Sequence, residues 1–238
     1  DQEDVADRFR KYDLLAMPVV DNENRLVGII TIDDVLDIIE EENTEDFQRM
    51  AGIEPSEKEY LKTSPIALAK HRVVWLLVLM ISATLSANII QRFEDLLQAV
   101  VLLTAFIPML MNTGGNAGSQ SATLVIRGLA LGEIDKKDLF RILGKELGVG
   151  IIVGTILAGI NMLRLYYLQG MSFAISATVC TSLFFTVILA NVVGGALPLL
   201  AKFFRVDPAI MASPLITTIV DVVALIIYFL IATRIVII

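Results

Sequence analysis

Thiol and imidazole groups are almost missing from this chain: 238 residues include one cysteine, Cys180, and one histidine, His71. A single cysteine allows no intrachain disulfide, and its place in an apolar run gives no sign of an oxidising compartment. No His and Cys pattern is present that would hold zinc. No nucleophile, base and orienting group occur together, so the chain is not expected to be an enzyme. His71 stands between Lys70 and Arg72 at the edge of an apolar run, where interfacial placement explains it. Positive charge is also short, with 19 Lys and Arg against 26 Asp and Glu, and no nucleic-acid partner is expected. No secretory signal peptide is legible. With no initiator Met, the first residues read as a helix in mid-fold, and the chain is expected to be a piece of something longer.

What is abundant is hydrocarbon. Hydrophobic residues make up 55% of the chain, too many for an ordinary soluble domain of this length. Charge is uneven: residues 1–71 hold 18 Asp and Glu against 8 Lys and Arg, and residues 72–238 hold 8 against 11. An acidic soluble part therefore precedes a nearly neutral apolar one.

In the acidic part, Val5 and Phe9 share one face of a short helix over 2–12. MPVVD (17–21) and RLVGIIT (25–31) read as two strands of a hairpin joined by the turn residues Asp21, Asn22, Glu23 and Asn24. A second helix is expected from about Asp33, with Val35, Leu36 and Ile39 as its apolar stripe and aspartates in its first turn, where the helix dipole favours them. A polar connector with breaks at Gly52, Pro55 and Pro65 leads to His71.

Beyond it lie five apolar segments long enough for a bilayer of ~30 Å, which takes about 20 helical residues: roughly 72–91, 98–126, 147–168, 172–201 and 209–236. Lys70, Arg72, Arg127, Lys136, Lys137, Arg141, Lys145, Lys202 and Arg205 fall on one side; Arg92, Arg164 and Arg234 fall on the other. The positive-inside tendency makes the acidic part and the 127–145 loop cytoplasmic, and five crossings put the C-terminus outside. The expected fold is thus mainly α, a polytopic membrane protein of five transmembrane helices. A small α/β part over 1–40 and an acidic connecting helix over 41–70 precede its membrane domain of 71–238.

In the last span, Asp207 suits an N-cap and Pro208 the first helical position. Asp221 lies 16 residues from Arg205 and 13 from Arg234, roughly 24 Å and 20 Å along a helix, and hence near the bilayer centre. A lipid-facing charge there costs at least ~2.5–3.5 kcal/mol, so Asp221 is expected to face protein, water or an ion. Ser213, Pro214, Thr217 and Thr218 form a polar strip leading to it. Pro214 would leave the carbonyl of Ile210 without its helical partner, free to help bind a hydrated cation. The alternative is a neutral or hydrogen-bonded Asp221 that only holds the bundle together.

The second span contains PMLMNTGGNAGSQSAT (108–123). Pro108, Gly114, Gly115 and Gly118 are expected to loosen this helix, while Asn112, Asn116, Ser119, Gln120 and Ser121 bring neutral oxygens to membrane depth. The other reading is close packing through small residues, which is the role expected of Gly144, Gly148, Gly150, Gly154, Gly194 and Gly195. Asn191 is open to either role, pore polar group or helix glue.

The stretch TIDDVLDIIEEENTEDF (31–47) carries eight carboxylates, of which Asp34, Asp37, Glu41 and Glu45 would line one helix face. A solvated acidic surface is one reading. A face that divalent cations bridge to other carboxylates is the second.

AMPVVDNENRLVGIITIDDVLDII resembles the second half of a CBS (cystathionine β-synthase) domain. Followed by an acidic helix and five spans, it looks like the MgtE family of magnesium channels. PMLMNTGGNAGSQSATLVIRGLALGEI and VDPAIMASPLITTIVDVVALIIYF are very similar to that family's second and fifth membrane helices. The resemblance implies a homodimer in a bacterial plasma membrane, with Asp221 of both subunits holding a hydrated Mg²⁺ in a pore on the two-fold axis. It also implies an acidic plug that binds regulatory Mg²⁺ through Asp34, Asp37, Glu42, Glu45, Asp46 and Asp207. Adenine nucleotide such as ATP at the CBS module, with Asp33 or Asp34 on the ribose, is a further implication for the longer protein. The family often has Asn where Ser119 stands. The expected function is passive Mg²⁺ uptake gated by cytosolic Mg²⁺. An H⁺- or Na⁺-coupled divalent-cation transporter and a non-transporting CBS-type membrane sensor are the alternatives.

Overall fold

A computed structural model describes residues 2–56, 58–211 and 213–236, with Ser213 described by its backbone alone. The chain separates into two compact units, 1–49 with 53–71 and 50–52 with 72–238.

The first unit opens with α1 (Gln2–Tyr12), whose Phe9 and Ala6 pack on Val35 of α2 (Ile32–Met50). Between them β1 (Ala16–Val20) pairs antiparallel with β2 (Leu26–Thr31) in the register Ala16 to Thr31. The hairpin turn is built by Asp21, whose Oδ1 accepts the N–H groups of Glu23 at 2.8 Å and Arg25 at 2.9 Å. Asn24 takes the left-handed conformation, φ 58°, that its short polar side chain tolerates. The second helix starts at Ile32 and continues without a break through residue 40 to Met50, since no helix breaker occurs before Gly52.

α3 (Pro65–Arg92) carries the chain into the second unit. There follow α4 (Glu94–Ala99), a 3-10 stretch (Val101–Phe106), α5 (Ile107–Ala130), α6 (Leu139–Met162) extended by a π-helical turn (Leu163–Leu168), α7 (Phe173–Phe203), a 3-10 turn (Pro208–Met211) and α8 (Ser213–Ile235). α7 lies against α5, α6 and α8, and α5 also packs on α8. Their common core contains Leu110, Val179, Leu183, Val187, Ile216 and Val220.

Among the described residues four helices are long and apolar enough to cross a membrane: Pro65–Arg92, Lys136–Leu168, Phe173–Phe203 and Pro208–Ile235. Their outward faces carry residues that a soluble protein hides, such as Val74, Met80 and Ile81 on α3 and Ile152, Ile156 and Ile160 on α6, as expected when hydrocarbon is the solvent. The chain is a mainly α membrane protein. The span expected at 98–126 is divided instead: Pro108 sits in the first turn of α5, where its missing N–H interrupts no helical bond, and the residues before it form the 3-10 stretch. α5 has 24 residues, about 36 Å of helix at 1.5 Å each, and its Asn and Gly content makes it the least apolar long helix of this unit.

The glycines of α5 do not loosen it; the helix is continuous from 107 to 130. They admit neighbours. A side chain on Gly118 would come within 2.8 Å of Ile216 Cγ2 and 3.1 Å of the Ala190 carbonyl, and one on Gly194 of α7 would run into the backbone of Gly118. Gly150 and Gly154 of α6 meet Ile188 and Phe184 in the same way, whereas Gly144 and Gly148 have no atom within 4 Å of an added Cβ and are not packing glycines here. Gly194→Val is therefore expected to cost about 1–3 kcal/mol by overpacking, read as a lower melting temperature of the detergent-solubilised protein. Gly148→Ala is expected to be neutral or slightly stabilising. Equal melting temperatures for the two variants would contradict the packing assigned to Gly194.

Candidate ion site between α5 and α8

Pro214 determines where α8 can start, because its ring excludes the preceding turn from a regular helix. The last helix accordingly begins at Ser213 and not near 209, behind the 3-10 turn Pro208–Met211. Asp207 holds that turn, its Oδ1 accepting from Ala209 N–H at 2.8 Å. The Ile210 carbonyl thus belongs to the turn and is not a gap inside a helix. Thr217 and Thr218 donate their hydroxyls to the Pro214 carbonyl at 2.9 and 3.1 Å. Their protons are spent on the backbone, and the lone pairs of both oxygens remain to accept.

Two turns into α8, Asp221 is half-buried and opens with Thr217 into a cavity of about 410 Å³. The opposite wall belongs to α5: Ile107, Pro108, Met111, Asn112, Gly115 and Asn116. Gly115 is what allows this meeting, since a Cβ there would lie 2.9 Å from Thr217 Cγ2. Asn112 and Asn116 stand one turn apart, with Asn116 Nδ2 3.4 Å from Asn112 Oδ1. The cavity wall thus carries one carboxylate, two amides and a hydroxyl, and no cationic side chain. Such a set offers oxygen to a hard cation or to its water.

Of the residues expected to line a pathway, Asn116, Thr217 and Asp221 share this cavity; Ser119, Gln120, Ile210, Pro214 and Thr218 are not on its wall. The side chain of Ser213 lies outside the described residues. Asn191 takes the role of helix glue: it is buried, its Nδ2 donates to the Val187 carbonyl at 2.8 Å, and its own carbonyl accepts from Ser121 Oγ at 2.9 Å. Asn112 was visible in the sequence only as one polar residue among several; its i, i+4 spacing to Asn116 is the signal that pairs them. Glu146 drew no expectation at all, yet it is a buried carboxylate of α6, 9% exposed and set against Gly195 of α7.

In the first unit the acidic residues remain apart. Among the described residues no group of three or more His, Cys, Asp or Glu is placed to hold a metal ion. Asp34 is engaged in starting α2: its Oδ2 accepts both the backbone N–H of Thr31 at 3.0 Å and its hydroxyl at 2.7 Å. These bonds to the charged form hold the Asp34 carboxyl below the usual carboxylate range. Glu45 pairs with Arg49 one turn on. Asp33 and Asp37 are exposed.

A family model described as a divalent cation transporter, MgtE, matches residues 107–231, and a CBS-domain model matches 1–41. The magnesium transporter MgtE of Thermus thermophilus is 42% identical over 232 residues, which are 98% of this chain and 51% of that protein. Those of Bacillus subtilis and Enterococcus faecalis are 39% and 31% identical, again over 98% of this chain and 51% of theirs. The chain spans about half the length of the curated relatives it matches.

For Asp34 the sign is definite. A carboxyl whose pKa is depressed by folding adds stability above its unfolded value, and that contribution is lost as pH falls through the folded value. An NMR titration is expected to place the Asp34 midpoint below an ordinary aspartate, and Thr31→Val is expected to move it back up. An unchanged midpoint in that variant would refute the Thr31 contacts as the cause.

Proposed function

The chain belongs to the MgtE family of divalent cation transporters, and we propose that it is the CBS-linked membrane part of a passive Mg²⁺ channel whose permeant-ion site is Asp221. The observation that carries this reading is the meeting of Asp221 with Asn112, Asn116 and Thr217 at one cavity. Mg²⁺ demands six oxygens in an octahedron and gives up its water reluctantly. Six waters at ~30 Å³ each take ~180 Å³, well within the volume of about 410 Å³. A hydrated ion therefore fits, with the carboxylate and the neutral oxygens addressing its waters. In the proposed assembly a second copy of the chain places its own Asp221 across the same ion.

The reading extends to location and gating. Lys136 and Lys137 between α5 and α6, with Arg141 and Lys145 in the first two turns of α6, would face the cytoplasm of a bacterial inner membrane, with the acidic unit on the same side. For a divalent ion, 100 mV contributes ~4.6 kcal/mol inward, from about 2.3 per charge, and no other energy source is required. Asp34, Asp37, Glu42, Glu45 and Asp46 of α2, with Asp207 at the 3-10 turn before α8, are the proposed regulatory carboxylates. Repulsion among them is relieved when cytosolic Mg²⁺ binds. ATP would bind, in the full-length protein, at the completed CBS module near Asp33.

Asp221→Ala in the full-length protein is expected to lower Mg²⁺ flux into liposomes by at least tenfold while membrane insertion and self-association persist. Wild-type flux in that variant would sink the site. Joint neutralisation of Asp34, Asp37, Glu42, Glu45 and Asp46 is expected to leave the channel conducting at millimolar Mg²⁺. Inhibition that matches the wild type would refute the gate. Currents that follow pH or Na⁺ instead of the Mg²⁺ gradient would favour a coupled transporter.

A further inference from the structure

Tyr228 stands seven residues beyond Asp221 on α8, nearly two whole turns and about 10.5 Å along the axis, so the two lie on one stripe of the helix. Asp221 opens into the cavity. Tyr228 is fully buried, and its hydroxyl donates to the carbonyl of Leu103 at 2.8 Å, joining positions 125 residues apart. Leu103, also fully buried, sits in the 3-10 stretch that delivers the chain into α5. Ile107 and Pro108, which wall the cavity, come directly after that stretch.

The local hydrogen bonding explains why a hydroxyl is used here. In an α-helix the Leu103 carbonyl would accept from Ile107 N–H, four residues on. Ile107 N–H instead bonds the Thr104 carbonyl, the shorter 3-10 pattern. The 3-10 pattern pairs the Leu103 carbonyl with Phe106 N–H, three residues on, and Tyr228 takes that carbonyl's second lone pair. Buried among apolar side chains, neither group has water as a substitute, so the bond fixes the stretch strongly. The next residue, Phe229, stacks on Phe93 with ring centroids 4.6 Å apart, which holds α8 at the same level.

We infer that Tyr228 is a positioning residue for the cation site: through Leu103 it sets how far the Ile107–Pro108 wall stands from the Asp221 carboxylate. The inference rests on the reading of Asp221 as the permeant-ion site. The spacing bears on selectivity because Mg²⁺ enters as a compact octahedron, whereas Ca²⁺ takes six to eight ligands at longer distances. A rigid wall favours the first, and a wall free to retreat admits the second.

The test uses the full-length protein in liposomes. Tyr228→Phe keeps the ring and removes the hydroxyl. Hydrogen exchange over 101–107 is expected to quicken about three- to tenfold, the range for loss of one net hydrogen bond, and the Ca²⁺-to-Mg²⁺ flux ratio is expected to rise several-fold. Thr233→Val, which removes a hydroxyl that bonds back to its own helix at Phe229, is expected to change neither. Faster exchange with a wild-type flux ratio would reduce Tyr228 to a structural strut and overturn the inference, as would unchanged exchange. Asp221→Ala in the same liposomes separates the two failures. Wild-type Mg²⁺ flux there overturns the cation site itself, whereas lost flux there with a wild-type ratio in Tyr228→Phe overturns only the positioning role.

Discussion

A carboxylate carried into the middle of an apolar helix must be met by water, an ion or polar groups, because hydrocarbon offers nothing in exchange for its hydration. In this chain α5 meets it. Asn112 and Asn116 bring amides to the cavity that Asp221 and Thr217 share, and the polar content that makes this possible leaves α5 a poor span on its own. Such a helix has to be sheltered from lipid, and α7 and α8 shelter it by lying against it. Shelter at that range requires small residues, and Gly114, Gly115 and Gly118 on α5, with Gly194 on α7, occupy the points of closest approach. The glycines, the amides and the single acid are therefore one arrangement. A bulky side chain at Gly115 would separate α5 from α8 and remove Asp221 from its polar partners.

The same solvent governs the hydroxyls. Thr84, Thr123, Thr155, Thr178, Ser182 and Thr218 each donate to the carbonyl four residues back, which satisfies the proton inside its own helix where water is scarce. Other hydroxyls reach across to a different element. Ser121 reaches the Asn191 carbonyl and Tyr228 reaches that of Leu103, and both bonds fall where separate elements must be held in register. In a medium without a hydrophobic driving force between helices, such bonds and close van der Waals contact are the means of association.

Features governed by neighbours in the chain were legible in the sequence. The hairpin followed from the turn chemistry of Asp21 to Asn24, and α1 from its apolar spacing. Features governed by distant residues were not. The packing partners of Gly118 and Gly194 depend on how α5 and α7 cross, and nothing in the composition separates Gly194, which packs, from Gly148, which does not. Two prolines were read with the wrong consequence, since each lies in the first turn of its helix, where a missing N–H costs no bond. Pro108 and Pro214 start α5 and α8; they do not break them. The bonds from Thr31 to Asp34 three residues on, which start α2, are a pattern the spacing alone could have revealed.

A lone carboxylate in the cavity has a consequence for conduction. In the proposed assembly the two Asp221 carboxylates do no more than balance a divalent ion, and the other groups on each wall are neutral. An ion held through its water shell by one acid and three neutral side chains from each copy keeps most of its hydration and faces no large desolvation step on leaving. Conduction requires a site attractive enough to enter and weak enough to leave. More carboxylates at this point would bind a divalent ion more firmly and slow its release. In the proposed channel the acidic residues are accordingly divided by task. One stands at membrane depth where passage must be quick, and the many stand on α2, where prolonged occupancy by a regulatory ion is useful.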